Sequence, residues 1–106
     1  MAHKIIFLDR DGVINKYPGD GQYVTTLSGF KLIPGSARAI KMLCSAGFKV
    51  FVVSNQAGVT KGLYSKQALN KMTAYMLDKV RKAGGRINKV LYCVHTNQQN
   101  CSCRKP

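Results

Sequence analysis

Acidic side chains are scarce in this sequence relative to basic ones. Its 106 residues contain 17 Lys and Arg but only four acids, all of them Asp, which gives a formal net charge of +13. A charge of this size favours an anionic partner: nucleic acid, an anionic membrane or a phosphorylated small molecule. Two of the four acids, Asp9 and Asp11, are placed together. We therefore expect the chain to need these carboxylates at that position.

Other features are absent as well. No apolar run approaches the ~20 residues of a membrane-spanning helix, so no membrane span is predicted. The first residues run directly into an apolar segment, which leaves no room for a signal peptide and predicts a cytoplasmic protein. The basic residues form no block of five like charges, and aromatic residues are few, which argues against nucleic acid as the partner. The length predicts one domain, residues 1–106.

The first motif is a short apolar run that ends in the two carboxylates. Residues 5–8, Ile-Ile-Phe-Leu, predict a strand buried on both faces. Asp9 and Asp11 follow it, and Gly12 lets the chain turn. Positions two apart on a strand point to the same side, so both carboxylates can face the crevice at its carboxyl end. The alternative is a turn whose Asp side chains bond to the local backbone.

The remaining chain alternates helices and strands, which predicts an α/β fold. Residues 16–34 are predicted to be irregular, with a turn at Asp20 and short strands over 23–26 and 30–33. Further elements are predicted in this order: a helix over 36–46, a strand over 48–53, a helix over 65–83 and a strand over 87–92.

The predicted helices carry their own end signals and apolar faces. Ser36 and Ser65 are the predicted N-caps. Cys44 is predicted to be a buried structural thiol. In the second helix a stripe with helical spacing is predicted to be core: Leu69, Met72, Met76 and Val80.

The second strand runs into a loop of small and polar residues, Ser54 to Gly62. Hydroxyl and amide donors together with glycines are typical of a turn that cradles a phosphate. An ordinary connection between a strand and a helix has a similar composition, so both interpretations stay open for this loop.

Thiol and imidazole ligands cluster at the end of the chain. Within residues 93–103 the sequence places four of them: Cys93, His95, Cys101 and Cys103. Thiolates and imidazole are ligands that Zn²⁺ prefers, and four of them close a tetrahedral structural site. The absence of an export signal also favours metal or free thiols over disulfides. Unrelated thiols beside a surface His are the alternative.

These motifs together resemble the haloacid dehalogenase superfamily of phosphatases. The combination is the Asp-x-Asp strand, the Ser54-Asn55 loop, and the Cys/His cluster that runs into Arg-Lys-Pro. It is most similar to the capless, zinc-containing branch that includes D-glycero-D-manno-heptose 1,7-bisphosphate phosphatase and histidinol-phosphate phosphatase. The resemblance implies a Rossmann-like parallel sheet in a three-layer α/β/α arrangement.

The resemblance also implies roles for individual residues. Asp9 would be the nucleophile that forms an aspartyl-phosphate, and Asp11 the general acid and base. Mg²⁺ would bind the Asp9 carboxylate and the Asp11 backbone carbonyl. Ser54 would hold a phosphoryl oxygen, with Asn55 beside it in the substrate site.

The last residues have implied roles too. Lys105 would neutralise the anions around Asp9, and Arg104 would reach the substrate's phosphate. The zinc loop, residues 93–103, would position both. The implied function is Mg²⁺-dependent hydrolysis of a small phosphorylated metabolite, first D-glycero-D-manno-heptose 1,7-bisphosphate (at the 7-phosphate) and alternatively histidinol phosphate. An inactive zinc-stapled basic fragment that binds nucleic acid is the alternative from another class.

One family motif has no counterpart in the sequence. The family carries a pair of acids after a fourth strand that pairs with the first, whereas this sequence ends at Pro106. Asp20 and Asp78 do not replace that pair, because Asp78 is expected to pair with neighbouring Lys in its helix. The expectation is therefore the N-terminal part of a longer, monomeric phosphatase, incomplete at its C-terminus, with the first strand as an uncovered sheet edge.

Overall fold

The structure is a computed structural model that describes residues 4–19 and 22–93. Its elements, in chain order, are β1 (Lys4–Leu8), α1 (Ser36–Ser45), β2 (Phe48–Asn55), α2 (Lys66–Lys82) and β3 (Lys89–Cys93). The three strands form one parallel sheet in the order β1-β2-β3. This confirms the predicted α/β fold with a Rossmann-like parallel sheet, and it places β1 at an edge of the described sheet, as expected.

Both helices cover the same face of the sheet. Each crossover moves the chain one strand further in the same direction, and right-handed connections then place α1 and α2 on one side. The main apolar core lies between that face and the helices. Its buried members from the strands and helices are Ile40, Val50, Val52, Leu69, Met72, Met76 and Val80. The predicted stripe on the second helix is therefore confirmed.

The opposite face of the sheet is not covered by any described residue. Phe7 lies beside Phe51 in the register and their ring centroids are 5.5 Å apart, yet Phe7 is 63% exposed. Ile5 on the same face is 54% exposed. The prediction that residues 5–8 are buried on both faces is therefore wrong for this part of the chain, because the described elements supply two of the three expected layers.

The helix ends agree with the sequence in one case and differ in the other. Ser65 caps α2, and its hydroxyl accepts a hydrogen bond from the Ala68 amide at 3.0 Å. In α1, by contrast, the N-cap is Gly35, with a φ of 86° and no side-chain cap. The prediction of Ser36 as an N-cap is wrong because the left-handed turn at Gly35 starts the helix one residue earlier.

The long connection from β1 to α1 is irregular but well packed. Ile14, Val24 and Phe30 are buried in it. The short strands predicted over 23–26 and 30–33 do not form, and Leu32 makes a single antiparallel bridge to Asn15. Buried side chains, and not strand pairing, hold this segment against the core.

Two further predictions concern single features. Cys44 is half-buried against the core, less than expected, and its thiol donates to the Arg86 carbonyl at 3.2 Å. Within the described residues, neither α1 nor α2 combines the length and apolar content that crossing a membrane requires.

Candidate active site

The turn after β1 gives its three residues different environments. Asp9 is exposed, Arg10 is fully buried, and the Asp11 side chain is 19% exposed. Gly12 has a φ of 87°, a left-handed conformation that favours glycine, as the sequence predicts. The Arg10 carbonyl closes the turn by accepting backbone hydrogen bonds from residues 13–15. Both carboxylates therefore keep access to solvent while Arg10 anchors the turn inside.

Arg10 is paired with its neighbour Asp11. Arg10 Nε donates to Asp11 Oδ1 at 2.9 Å, and Nη2 lies 2.8 Å from the same oxygen as an ion pair without hydrogen-bond alignment. The buried side-chain amide of Asn15 also donates to Oδ1, at 3.0 Å. The hydrogen bonds and the ion pair that the Asp11 carboxylate makes with described residues therefore all end on Oδ1.

Aromatic rings enclose the Arg10 guanidinium. It lies 5.3 Å from the centroid of the Phe30 ring and 5.5 Å from that of Tyr92, distances that suit cation–π contacts. Arg10 Nη1 donates to the Tyr92 hydroxyl at 3.3 Å, and that hydroxyl hydrogen-bonds with Thr73 Oγ1 at 2.9 Å. Burial opposes the charge, but Tyr92 and Asp11 outweigh it and raise the pKa of Arg10 above its ordinary value. The guanidinium thus links the β1 turn to β3 and α2.

The end of β2 contributes a second buried polar group. Ser54 lies opposite Tyr92 in the parallel register and is 5% exposed. Gln56 Nε2 donates to Ser54 Oγ at 2.7 Å, and the Tyr64 hydroxyl donates to Gln56 Oε1. Burial raises the pKa of Tyr64 to about 12. The Ser54 hydroxyl is therefore the end of a short chain of hydrogen bonds at the carboxyl edge of the sheet.

The neighbours of these strand ends are Asn55 and Cys93, which are paired in the register of β2 and β3. Cys93 is buried, and its carbonyl accepts a hydrogen bond from the Gln56 amide at 2.6 Å. In the structure the Cys93 sulfur is disulfide-bonded. A disulfide sulfur is not a thiolate ligand, so the zinc set is not confirmed and stays a prediction.

Several predicted site residues lie outside the described ranges. They are His95, Cys101, Cys103, Arg104 and Lys105, and the turn predicted at Asp20 lies outside the described ranges as well. The structure therefore brings together Asp9, Asp11, Ser54 and Asn55 at the carboxyl edge of adjacent strands, and leaves the roles of the terminal residues as predictions.

The donor set at the β1 turn suits a hard divalent cation. The Asp9 carboxylate and the Asp11 backbone carbonyl are oxygen ligands of the kind that Mg²⁺ takes. No backbone amide of the described residues hydrogen-bonds to the Asp11 carbonyl oxygen. Asp78 is unsuited to the same role because its carboxylate pairs in α2 with Lys82 at 3.0 Å, as the sequence predicts, and also with Arg81 at 2.6 Å.

Comparison with known proteins decides the family. Residues 6–79 match the family described as haloacid dehalogenase-like hydrolase. The chain belongs to this family. It is 43% identical over 103 residues to D-glycero-β-D-manno-heptose-1,7-bisphosphate 7-phosphatase of Neisseria meningitidis, covering 97% of this chain and 54% of the relative. The enzyme of that name from Pseudomonas aeruginosa is 40% identical, with 100% of this chain and 58% of the relative covered. The chain thus spans little more than half the length of these relatives.

Solved structures agree with the sequence comparison. A D,D-heptose 1,7-bisphosphate phosphatase from B. bronchiseptica, complexed with magnesium and phosphate, superposes with a TM-score of 0.90 at 35% identity. The superposition covers 97% of this chain and 56% of that one. The corresponding protein from Burkholderia thailandensis gives a TM-score of 0.66 at 31% identity, over 97% and 59% of the chains. The expected fold family is confirmed.

Sequence reasoning missed the supporting residues of the site. Arg10, Gln56, Tyr64 and Tyr92 were not singled out, although each is part of its hydrogen-bond networks. One available signal was a charged residue between two carboxylates at the end of a buried strand. An arginine there is fully buried only when it is paired. The partners on β3 and α2 are 63 to 82 residues away and carry no local signal.

Proposed function

We propose that this chain forms the phosphoryl-transfer part of a phosphatase that hydrolyses a phosphomonoester of a small metabolite. The first candidate substrate is D-glycero-D-manno-heptose 1,7-bisphosphate, with loss of the 7-phosphate. One observation carries the proposal: the Asp9–Asp11 turn and Ser54 share an edge of a sheet that superposes, over 97% of this chain, on a heptose bisphosphate phosphatase complexed with magnesium and phosphate. Histidinol phosphate remains the alternative, since no described contact selects the organic part of the substrate.

The two carboxylates have different roles: Asp9 is the nucleophile, and Asp11 is the general acid and base. An oxygen of Asp9 attacks phosphorus, the bond from phosphorus to the substrate oxygen breaks, and an aspartyl-phosphate forms. Asp11 gives a proton to the departing oxygen, so an alcohol leaves. Asp11 then accepts a proton from a water that attacks the aspartyl-phosphate, which releases phosphate and restores the Asp9 carboxylate. The hydrogen bonds to Oδ1 hold Asp11 in position for both proton transfers.

The other residues hold charge and orientation. The Ser54 hydroxyl donates a hydrogen bond to a phosphoryl oxygen, and Asn55 binds the substrate beside it. Lys105 neutralises the anions around Asp9, and Arg104 binds the substrate's phosphate. Asp9 and the Asp11 carbonyl would hold Mg²⁺, which when bound draws negative charge from the phosphoryl oxygens.

Zinc is the second metal in the proposal. In the reduced protein Cys93, His95, Cys101 and Cys103 would bind one Zn²⁺ as a structural site. A reduced set of thiols also fits the proposed cytoplasmic location. Metal analysis and thiol titration of protein purified without oxidant test this. One zinc per chain that protects three thiols supports the site, whereas a metal-free protein with a disulfide at Cys93 contradicts it.

The activity test compares substrates and matched variants. Release of phosphate from D-glycero-D-manno-heptose 1,7-bisphosphate and from histidinol phosphate is measured with Mg²⁺ and after chelation. Asp9→Asn should abolish release. Asp78→Asn makes the same charge change at an exposed pair outside the site and should leave release unchanged.

Other results would point elsewhere. Release that is equal in the Asp9→Asn variant would show that Asp9 is not the nucleophile. Salt-sensitive retention of DNA or RNA, with no Mg²⁺-dependent release from either substrate, would favour the nucleic-acid alternative.

A further inference from the structure

We propose that Gln56 and Tyr64 are positioning residues that set the direction of the Ser54 hydroxyl, so that it donates its proton to a phosphoryl oxygen. The inference rests on the proposed function, since it requires phosphate at Ser54. Its basis is the chain of hydrogen bonds from the Tyr64 hydroxyl to Gln56 Oε1 and from Gln56 Nε2 to Ser54 Oγ at 2.7 Å.

A serine hydroxyl carries one proton and can also accept hydrogen bonds. Where the Gln56 amide donates to Ser54 Oγ, the serine proton must point away from Gln56. A flipped amide would reverse this, because Oε1 would then accept the Ser54 proton and no donor would remain for an anion. The direction of the Ser54 hydroxyl therefore depends on the orientation of the Gln56 amide.

Tyr64 supports that orientation by acting as the hydrogen-bond donor. Its hydroxyl donates to Gln56 Oε1, which leaves Nε2 for Ser54. The Tyr64 hydroxyl keeps its proton at neutral pH, since its ordinary pKa is already 10.0 and burial raises the pKa to about 12. Ser54, Gln56 and Tyr64 are 5%, 0% and 8% exposed, so water competes little for these bonds.

Backbone contacts hold the three side chains in these positions. The Gln56 amide donates to the Cys93 carbonyl at 2.6 Å, which ties the end of β2 to the end of β3. The absence of a side chain at Gly58 lets the Tyr64 ring lie against the loop backbone, because a Cβ at Gly58 would be 2.3 Å from Tyr64 Cε1. The Tyr64 hydroxyl thereby reaches Gln56 from across the loop.

The first experiment measures the affinity of the 106-residue chain for inorganic phosphate by calorimetry, with MgCl₂ and about 0.15 M salt. Ser54→Ala and Gln56→Glu should each weaken binding by about ten-fold or more, since each removes a hydrogen bond to a charged group. In Gln56→Glu the new carboxylate can only accept hydrogen bonds, so the Ser54 hydroxyl donates its hydrogen bond to the carboxylate and not to phosphate. Gln67→Glu makes the same charge change at an exposed position on α2 and should stay within about two-fold of wild type.

A double-mutant cycle separates positioning from a general structural effect. Gln56→Met removes the amide without adding charge and should weaken phosphate binding when Ser54 is present. In the Ser54→Ala background the same change should have no effect, because no hydroxyl remains to be directed.

The outcomes separate the two proposals. Phosphate binding that is absent, or unchanged in Ser54→Ala, overturns the phosphate site at Ser54 and this inference with it. Weaker binding in Ser54→Ala, with Gln56→Glu and Gln56→Met both equal to wild type, overturns the positioning role alone.

A second measurement does not depend on phosphate. In NMR spectra of the wild-type chain, the Nε2 protons of Gln56 should show nuclear Overhauser contacts to the Ser54 β protons. Contacts from those protons to the ring protons of Tyr64 instead would show the flipped amide and overturn the inference. Tyr64→Phe should allow both orientations and give both sets of contacts.

Discussion

Arg10 and Asp11 are consecutive residues that form an ion pair with unequal burial. Arg10 Nε and Nη2 lie 2.9 and 2.8 Å from Asp11 Oδ1, yet the Arg10 side chain is 0% exposed and that of Asp11 is 19% exposed. Removing either partner therefore leaves a different charge behind. The guanidinium would be unpaired inside the protein, whereas the carboxylate would be partly solvated.

Asp11→Ala should therefore destabilise the fold more than Arg10→Met. The first change leaves a buried cation without its carboxylate and should cost about 3–5 kcal/mol of the free energy of unfolding. The second replaces the cation by an apolar side chain between Phe30 and Tyr92 and should cost less. Urea unfolding followed by circular dichroism measures both, and Asp78→Ala at an exposed pair serves as the control with little change. A larger loss for Arg10→Met would contradict the assigned asymmetry.

The two serines near the helix starts should respond in opposite ways to alanine. Ser65→Ala removes the hydroxyl that accepts from the Ala68 amide and should cost about 1 kcal/mol. Ser36→Ala removes a buried hydroxyl that has no hydrogen-bond partner among the described residues, and should be neutral or stabilising. Thermal unfolding of the two variants is the measurement. Equal losses would show that Ser36 does cap α1.

Tyr64 should make stability fall at high pH. Its pKa is about 12 in the folded protein against 10.0 as the ordinary value, so the folded state keeps the proton where the unfolded state loses it. The stabilisation is full below pH 10 and decreases as pH rises from 10 toward 12, by about 2–3 kcal/mol in all. Urea midpoints across this range should fall more steeply for wild type than for Tyr64→Phe. Parallel curves would rule out the buried, protonated hydroxyl.

The open face of the sheet should bind apolar dyes. Phe7 and Met42 are both 63% exposed, but Phe7 adjoins Ile5 and Phe51 in an apolar patch on the open sheet face, whereas Met42 is on the outer side of α1. Lys49 and Lys89 lie opposite Ile5 and Phe51 in the register and border this patch. Phe7→Gln should lower the binding of an apolar fluorescent dye and reduce self-association in sedimentation, because it divides a contiguous patch. Met42→Gln, the matched control, should change neither. The same response in both variants would show that exposure alone, and not the patch, is responsible.

Much of the fold follows from short-range patterns. The apolar runs at 5–8 and 48–53 predict strands, and the stripe from Leu69 to Val80 predicts the buried face of α2, because strand and helix periods are local properties of the chain. The Ser65 cap and the turn at Gly12 are also local, and both are confirmed. The exception is Ser36, where a left-handed Gly35 competes with serine as the start of the helix.

Layer arrangement and the support of the site depend on distant residues. The sequence alone predicts that the carboxylates of Asp9 and Asp11 belong to the site, because they follow a recognisable strand. The role of Ser54 is implied by the family resemblance, since its loop by itself leaves two interpretations open. Only the tertiary structure shows that Arg10 is buried between Phe30 and Tyr92, that Gln56 and Tyr64 hold Ser54, and that one sheet face stays open among the described residues. Burial and hydrogen-bond direction are set by contacts between segments far apart in the chain, and no local pattern encodes them.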